Sequence, residues 1–195
     1  DYDVYDDSIA ISARFLTENQ DAAVSLLRQS LIEPRFDQVA IDRVRGQVDS
    51  IIRSDEKDPY QIAGSVFDQL AFGDHPYGSS RNGTLESIAG ITRDDIVTAR
   101  LGSMARDRLY ISAVGDITAE DLSQLLDKLL AGLPATGAAM PERVALGLTG
   151  GVTVVDFKTP QSVAVFGHAG ITRDDPDFFA ACLLNTILGG GSFES

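Results

Sequence analysis

The residue types that most often carry chemistry are scarce in this chain. It has two histidines, His75 and His168, and one cysteine, Cys182. Neither H-x-x-E-H nor H-E-x-x-H occurs, so no helix offers two histidines to a metal from one face. His75 sits in Gly73-Asp74-His75-Pro76-Tyr77-Gly78-Ser79-Ser80, a loop by composition, and His168 follows an apolar run beside Gly167 and Gly170. Each is expected to be a solvated side chain. Cys182 falls on an apolar helix face with no basic neighbour to lower its pKa, which predicts a buried, inert thiol. The acids Asp55, Glu56 and Asp58 flank Lys57, but sequence neighbours on a helix point in different directions, so a solvated helix end accounts for them. Gly189-Gly190-Gly191-Ser192 follows a predicted helix rather than a strand and lacks a P-loop lysine. A helix C-cap and turn explains it better than a phosphate cradle; its functional reading is a flexible loop that touches a substrate.

Composition narrows the field further. A chain of 195 residues with a formal charge of −13 repels polyanions, which excludes broad nucleic-acid binding. With 44% hydrophobic residues it carries enough apolar material to fold, as one domain or two small ones. One cysteine rules out an intramolecular disulfide framework and a cysteine-based zinc finger. No apolar run approaches the ~20 residues that span a bilayer. The chain starts at Asp1 without a methionine and stops just past a glycine run, and is expected to be a piece of a longer protein.

Periodicity supplies the elements that must position any site. Alternation over Ser8 to Leu16 predicts a half-buried strand. Helices are predicted over residues 21–32, 38–55 and 60–72. The first ends at Pro34, the second starts at Asp37 as N-cap, and the third begins after Asp58-Pro59. In the second, Ile41, Val44, Val48, Ile51 and Ile52 form an apolar stripe. Thr84, Thr92 and Thr118 are expected helix starts, the last two with an acid at the third helical position. Residues 108–114 alternate as a strand. The helix over 119–130 has Leu122, Leu125, Leu126 and Leu129 on one side and stops at Gly132 and Pro134. Residues 135–147, rich in Gly, Ala and Pro, read as a linker. Two strands, 151–157 and 162–167, and a helix over 176–188 follow. Residues alone thus describe an acidic fragment of strands and helices with no complete active site.

The order of several segments resembles the M16 metallopeptidase family, which includes pitrilysin, insulin-degrading enzyme and mitochondrial processing peptidase. The segments are Leu31-Ile32-Glu33-Pro34-Arg35-Phe36-Asp37, Ile41-Asp42-Arg43-Val44-Arg45-Gly46-Gln47, Lys57-Asp58-Pro59, His75-Pro76-Tyr77-Gly78, Asn82-Gly83-Thr84-Leu85-Glu86-Ser87-Ile88, Val114-Gly115-Asp116-Ile117 and Ile187-Leu188-Gly189-Gly190-Gly191-Ser192-Phe193. The resemblance implies an α+β fold, a mixed and mostly antiparallel sheet packed against helices. Residues 1–134 would be most of a first domain, 135–147 a linker and 148–195 the start of a duplicated second. The zinc-binding H-x-x-E-H helix would precede Asp1.

The resemblance also carries a departure. Catalytic members place a third zinc ligand, a glutamate, on the long helix, with a second acid two turns earlier. Alignment on Lys57-Asp58-Pro59 puts Ile51 and Val44 at those positions, and isoleucine has no lone pair for a metal. The stripe looks as if the helix had repacked its site face into core. The implied function is a non-catalytic subunit that binds peptides and completes the chamber of a zinc-metallopeptidase heterodimer. Its partner would be a catalytic M16 chain or a second copy of itself. Gly189, Gly190, Gly191, Ser192 and Phe193 would contact substrate, no residue of this segment would be catalytic or hold a metal, and zinc would belong to catalytic members. A peptide is expected to add as a strand to a sheet edge, with basic peptides favoured by the acidic charge. The alternatives are a zinc endopeptidase with its motif upstream and a free-standing peptide-binding scaffold. The expected location is the periplasm or cell envelope, with the cytoplasm as the alternative.

Overall fold

The computed structural model describes residues 1–190. Its elements are β1 (Tyr2–Val4), β2 (Ile9–Ile11), α1 (Gln20–Ile32), α2 (Gln38–Asp55), α3 (Pro59–Phe72), α4 (Leu85–Gly90), α5 (Arg93–Ser103), α6 (Ala119–Leu130) and α7 (Phe178–Leu188), with short 3-10 turns at Thr17–Asn19, Pro76–Gly78 and Arg106–Arg108. The class is α+β. Among the described residues the β component is one antiparallel pair, with Tyr2 opposite Ile11, Asp3 opposite Ala10 and Val4 opposite Ile9.

The starts of α3, α4, α5 and α6 are each capped by a side chain. Asp58 accepts the Tyr60 amide at 2.8 Å while Pro59 fills the first turn of α3, where its missing N–H is no loss. Thr84 and Ser87 exchange bonds across the start of α4, and Thr92 and Asp95 do the same for α5. The hydroxyl and amide of Thr92 hold the Asp95 carboxyl below its ordinary pKa. Thr118 caps α6 through the Asp121 amide at 3.1 Å. Asp37 occupies the N-cap of α2 as expected but makes no capping bond, because its carboxylate is paired with Arg35 at 2.5 Å.

Two packing units result. In one, α1 lies against α6, burying Leu31 and Leu129, and Gly132 comes so close to α1 that a Cβ there would overlap Ile32. Arg100 fastens this unit to α5, its guanidinium donating to the Leu31 carbonyl at the end of α1 (Nε, 2.9 Å). In the other unit, α2 packs on α4, burying Ile41, Ile52 and Ile88. Arg45 of α2 closes it. Its Nε donates to Ile88 O at 3.0 Å, Nη2 to Ile91 O at 2.7 Å and Nη1 to Asp42 at 2.7 Å. One planar fork thereby satisfies two carbonyls at the C-terminal end of α4, which has no further turn to bond them.

Several expectations are corrected. Residues 109–114, 151–157 and 162–167 form no strands, and the 8–16 strand shortens to Ile9–Ile11. A strand needs a hydrogen-bonded neighbour, and alternation specifies a face rather than a partner. Those segments carry no regular structure and leave most of their apolar residues in the open; Tyr110 and Val114 are 101% and 103% exposed. The accessible surface totals 15537 Å², against about 9,000 Å² for a compact monomer of 20.8 kDa. Cys182 is exposed rather than buried, because among the described residues nothing covers its side of α7.

Residues 135–147, expected to be a linker, carry no helix or strand but are fastened, with the preceding Pro134, along their length. Arg106 N donates to Pro134 O at 2.9 Å, Ala138 N to Gly102 O at 2.8 Å, and Gly147 N to Ala71 O at 2.8 Å. Gly137 N reaches both Asp107 carboxylate oxygens at 3.3 Å, and Arg108 contacts Met140 Sδ at 3.4 Å. Asp107 is held below its ordinary pKa, first by the Arg108 guanidinium and then by the Gly137 amide. The segment is a strap across the ends of α5 and α3.

Candidate functional site

The long helix α2 carries the residues on which the functional question turns. Val44 and Ile51 are seven positions apart, so two helical turns bring them back to nearly the same side. They are 47% and 46% exposed. The expectation that this face had become core is corrected: Ile41 and Ile52 are the buried members of the stripe, while Val44 and Ile51 look outward. Val44 and Val48 line a groove of about 430 Å³ whose far wall is Ile88 and Ile91 and whose rim carries Arg45 and Arg81. Chemically the groove is apolar with a cationic edge.

This face does not suit the zinc that the resemblance implies. Val44, Val48 and Ile51 offer it no donor atom. Among the described residues no three His, Cys, Asp or Glu side chains converge to hold a metal. His75 is turned away into a backbone network, and His168 Nδ1 lies 2.6 Å from Ala169 O. The donor set of the described residues does not fit a zinc centre.

Near the groove, the hairpin of β1 and β2 carries backbone groups on the outer edge of β1 that β2 does not pair. The bonds between Tyr5 N and Ser8 O (2.8 Å) and between Ser12 N and Asp1 O (3.1 Å) fix the ladder phase. Antiparallel pairs alternate, so Asp3 faces Ala10 as a bonded pair, and the N–H and C=O groups of Tyr2 and Val4 point to the outer edge of β1. Arg81 holds this edge in place, donating to Val4 O at 3.1 Å and pairing with Asp6 at 3.2 Å. Tyr77 holds the turn by donating its hydroxyl to Asp7, and that bond raises the phenol above its ordinary pKa. Tyr2 ties the hairpin to α1 through Ser30 Oγ at 2.7 Å. The hairpin region is acidic, with Asp1, Asp3, Asp6 and Asp7 among the first seven residues of the chain.

The glycine run lies at the end of α7. Gly189, with φ of 130°, is its C-cap, and its amide bonds Asn185 O and Thr186 O. Gly190 N donates to Asn185 O at 2.9 Å. The helix-cap reading therefore holds for Gly189, while Gly191, Ser192 and Phe193 lie outside the described residues. No extensive packing joins α7 to α2. Asp55, Glu56 and Asp58 remain a helix end, with Asp58 employed as the cap of α3. Sequence reasoning missed Arg45, Arg81 and Tyr77. A signal existed for the last two, since each follows a run of loop residues directly after an apolar helix, where a long polar side chain fastens neighbouring segments.

Residues 90–195, more than half of the chain, match the model of the peptidase M16 inactive domain. The mitochondrial-processing peptidase subunit beta of Neurospora crassa is 26% identical over 185 residues, covering 91% of this chain and 38% of its own length. A non-peptidase homologue from Helicobacter pylori is 25% identical over 190 residues, covering 97% and 44%. The crystal structure of a peptidase M16 inactive domain from Pseudomonas fluorescens superposes with a TM-score of 0.73 at 24% identity, covering 95% of this chain and 44% of that one, and shares its fold. The chain thus spans about two-fifths of the length of these relatives. By the match over its C-terminal half, the chain belongs to the M16 peptidase family, within the group named for its inactive domain.

Proposed function

We propose that this chain is part of a non-catalytic M16 subunit that binds peptides and, with a catalytic M16 chain, encloses them in a shared chamber. The observation that carries the reading is the α2 face. Where the resemblance expects two acids, Val44 and Ile51 stand half-exposed and without donor atoms. The names of the inactive-domain family and of the non-peptidase homologue support it. In this reading residues 1–134 belong to a first domain and 148–195 open its duplicate, with Gly189 to Phe193 near substrate. A periplasmic or envelope location rests on the resemblance alone. One observation favours the alternative of a zinc endopeptidase: the similarity to a subunit of a processing peptidase.

Peptide would add to the outer edge of β1, where the Tyr2 backbone groups and the Val4 N–H point away from β2 and Arg81 already holds the Val4 carbonyl. The acidic hairpin favours basic peptides. Val4→Pro tests this. It removes an outward N–H and leaves the inward ladder bonds of Asp3 intact. In the full-length protein this variant is expected to bind a fluorescent basic peptide about tenfold more weakly, the equivalent of one lost backbone bond left unsatisfied in the complex. An unchanged Kd, with the fold intact by circular dichroism, removes β1 as the peptide edge.

A further inference from the structure

His75, which the proposed function does not use, holds two bonds at once. Its Nδ1 accepts the Tyr77 amide at 3.2 Å, capping the 3-10 turn Pro76–Gly78, and its Nε2 lies 3.1 Å from the Glu142 carbonyl of the strap. An acceptor at Nδ1 and a donor at Nε2 require the neutral ring with its proton on Nε2. The ring also packs edge-on against Tyr77, centroids 4.8 Å apart, and Tyr77 packs on Phe72 at 5.4 Å. Tyr77 in turn grips Asp7 of the hairpin. The turn cannot relax around a larger residue, since a Cβ on Gly78 would overlap the Gly73 carbonyl. One imidazole therefore joins three pieces of chain distant in sequence: the hairpin through Tyr77, the end of α3, and the strap.

We propose that His75 is a proton-sensitive clasp, which fastens the strap and the hairpin to the end of α3 when neutral and releases the turn when protonated. Protonation places N–H on Nδ1, directly facing the Tyr77 N–H. The cap bond is lost, and the ring can no longer satisfy both sides in one orientation. The charged groups around it are Asp74 on its own turn, Asp7 on the hairpin beyond Tyr77, with Asp6 next to it paired to Arg81, and Glu142 and Arg143 on the strap. The reaction is a protonation alone and needs no other reagent.

Hydrogen exchange of the full-length protein at about pH 7.5 and about pH 5.5, corrected for intrinsic rates, reads this directly. In the wild type, amides in 76–79 and 138–147 are expected to lose about fivefold in protection on acidification, while those of α2 stay unchanged. His75→Asn keeps an acceptor for the Tyr77 amide at any pH but cannot reach Glu142. It is expected to hold the turn at both pH values and to expose the strap at both. His75→Ala should expose both segments at both pH values. Equal acid responses in the wild type and His75→Asn, or strap protection indifferent to both substitutions, overturn the proposal. Because the readout is protection rather than peptide affinity, it stands or fails separately from the β1 binding edge.

Discussion

Gly137→Val is expected to detach the strap and to lower the stability of the unit it crosses by about 3 kcal/mol, the sum of a forced overlap and two lost backbone bonds. A Cβ at this position would overlap both the Gly102 carbonyl and the Arg108 guanidinium. The carbonyl is backbone at the end of α5 and cannot step aside, so the strap must. The bonds from Gly137 N to Asp107 and from Ala138 N to Gly102 then open together. Urea denaturation gives the stability. Limited proteolysis followed by mass spectrometry locates the release, with new cleavages expected in 135–147 and none in α2. A wild-type midpoint with a wild-type cleavage pattern shows that the strap is not held by these contacts.

Arg45 is expected to give the second large effect. Arg45→Met leaves the Ile88 and Ile91 carbonyls without their donors and Asp42 without its cation, lowering stability by about 3 kcal/mol. Arg45→Lys is the informative control. An ammonium keeps the charge but cannot address two divergent carbonyls and a carboxylate at once, so about half of the loss should remain. Thermal unfolding of the two variants separates the readings. If lysine restores wild-type stability, the contribution is charge alone and the fork geometry is irrelevant.

Helices were legible in the sequence because their signals are local. Asp58-Pro59, Thr84, Thr92 and Thr118 mark helix starts through bonds that span at most three residues, and each stands where expected. Strands were not, because a ladder is a contract between distant segments. Residues 109–114 and 151–157 have the alternation of strands and no neighbour to pair with among the described residues. Conversely β1, with Asp1 and Asp3 in an unpromising acidic run, pairs because β2 is only a turn away. The strap was hidden for a similar reason. Its Gly, Ala and Pro composition suggests freedom, yet its anchors are backbone groups, which composition does not encode.

The candidate site was legible in part. Periodicity places Val44 and Ile51 on one stripe of α2, but a stripe does not say which of its members are covered. Coverage is a tertiary property, and the structure leaves these two half-open while burying Ile41 and Ile52. His75 taught the opposite lesson. A lone loop histidine suggested a solvated ring, and its bond to the strap becomes visible only when Glu142 is brought alongside from 67 residues away.

The central claim, that this chain belongs to a subunit without a metal centre of its own, is tested by one measurement on the purified full-length protein. Zinc content is determined by mass spectrometry, and cleavage of a fluorogenic peptide is followed with and without the catalytic M16 chain. The account predicts zinc far below one ion per chain and no cleavage alone, with cleavage appearing when the catalytic chain is added. One zinc ion per chain together with cleavage by the isolated protein contradicts it.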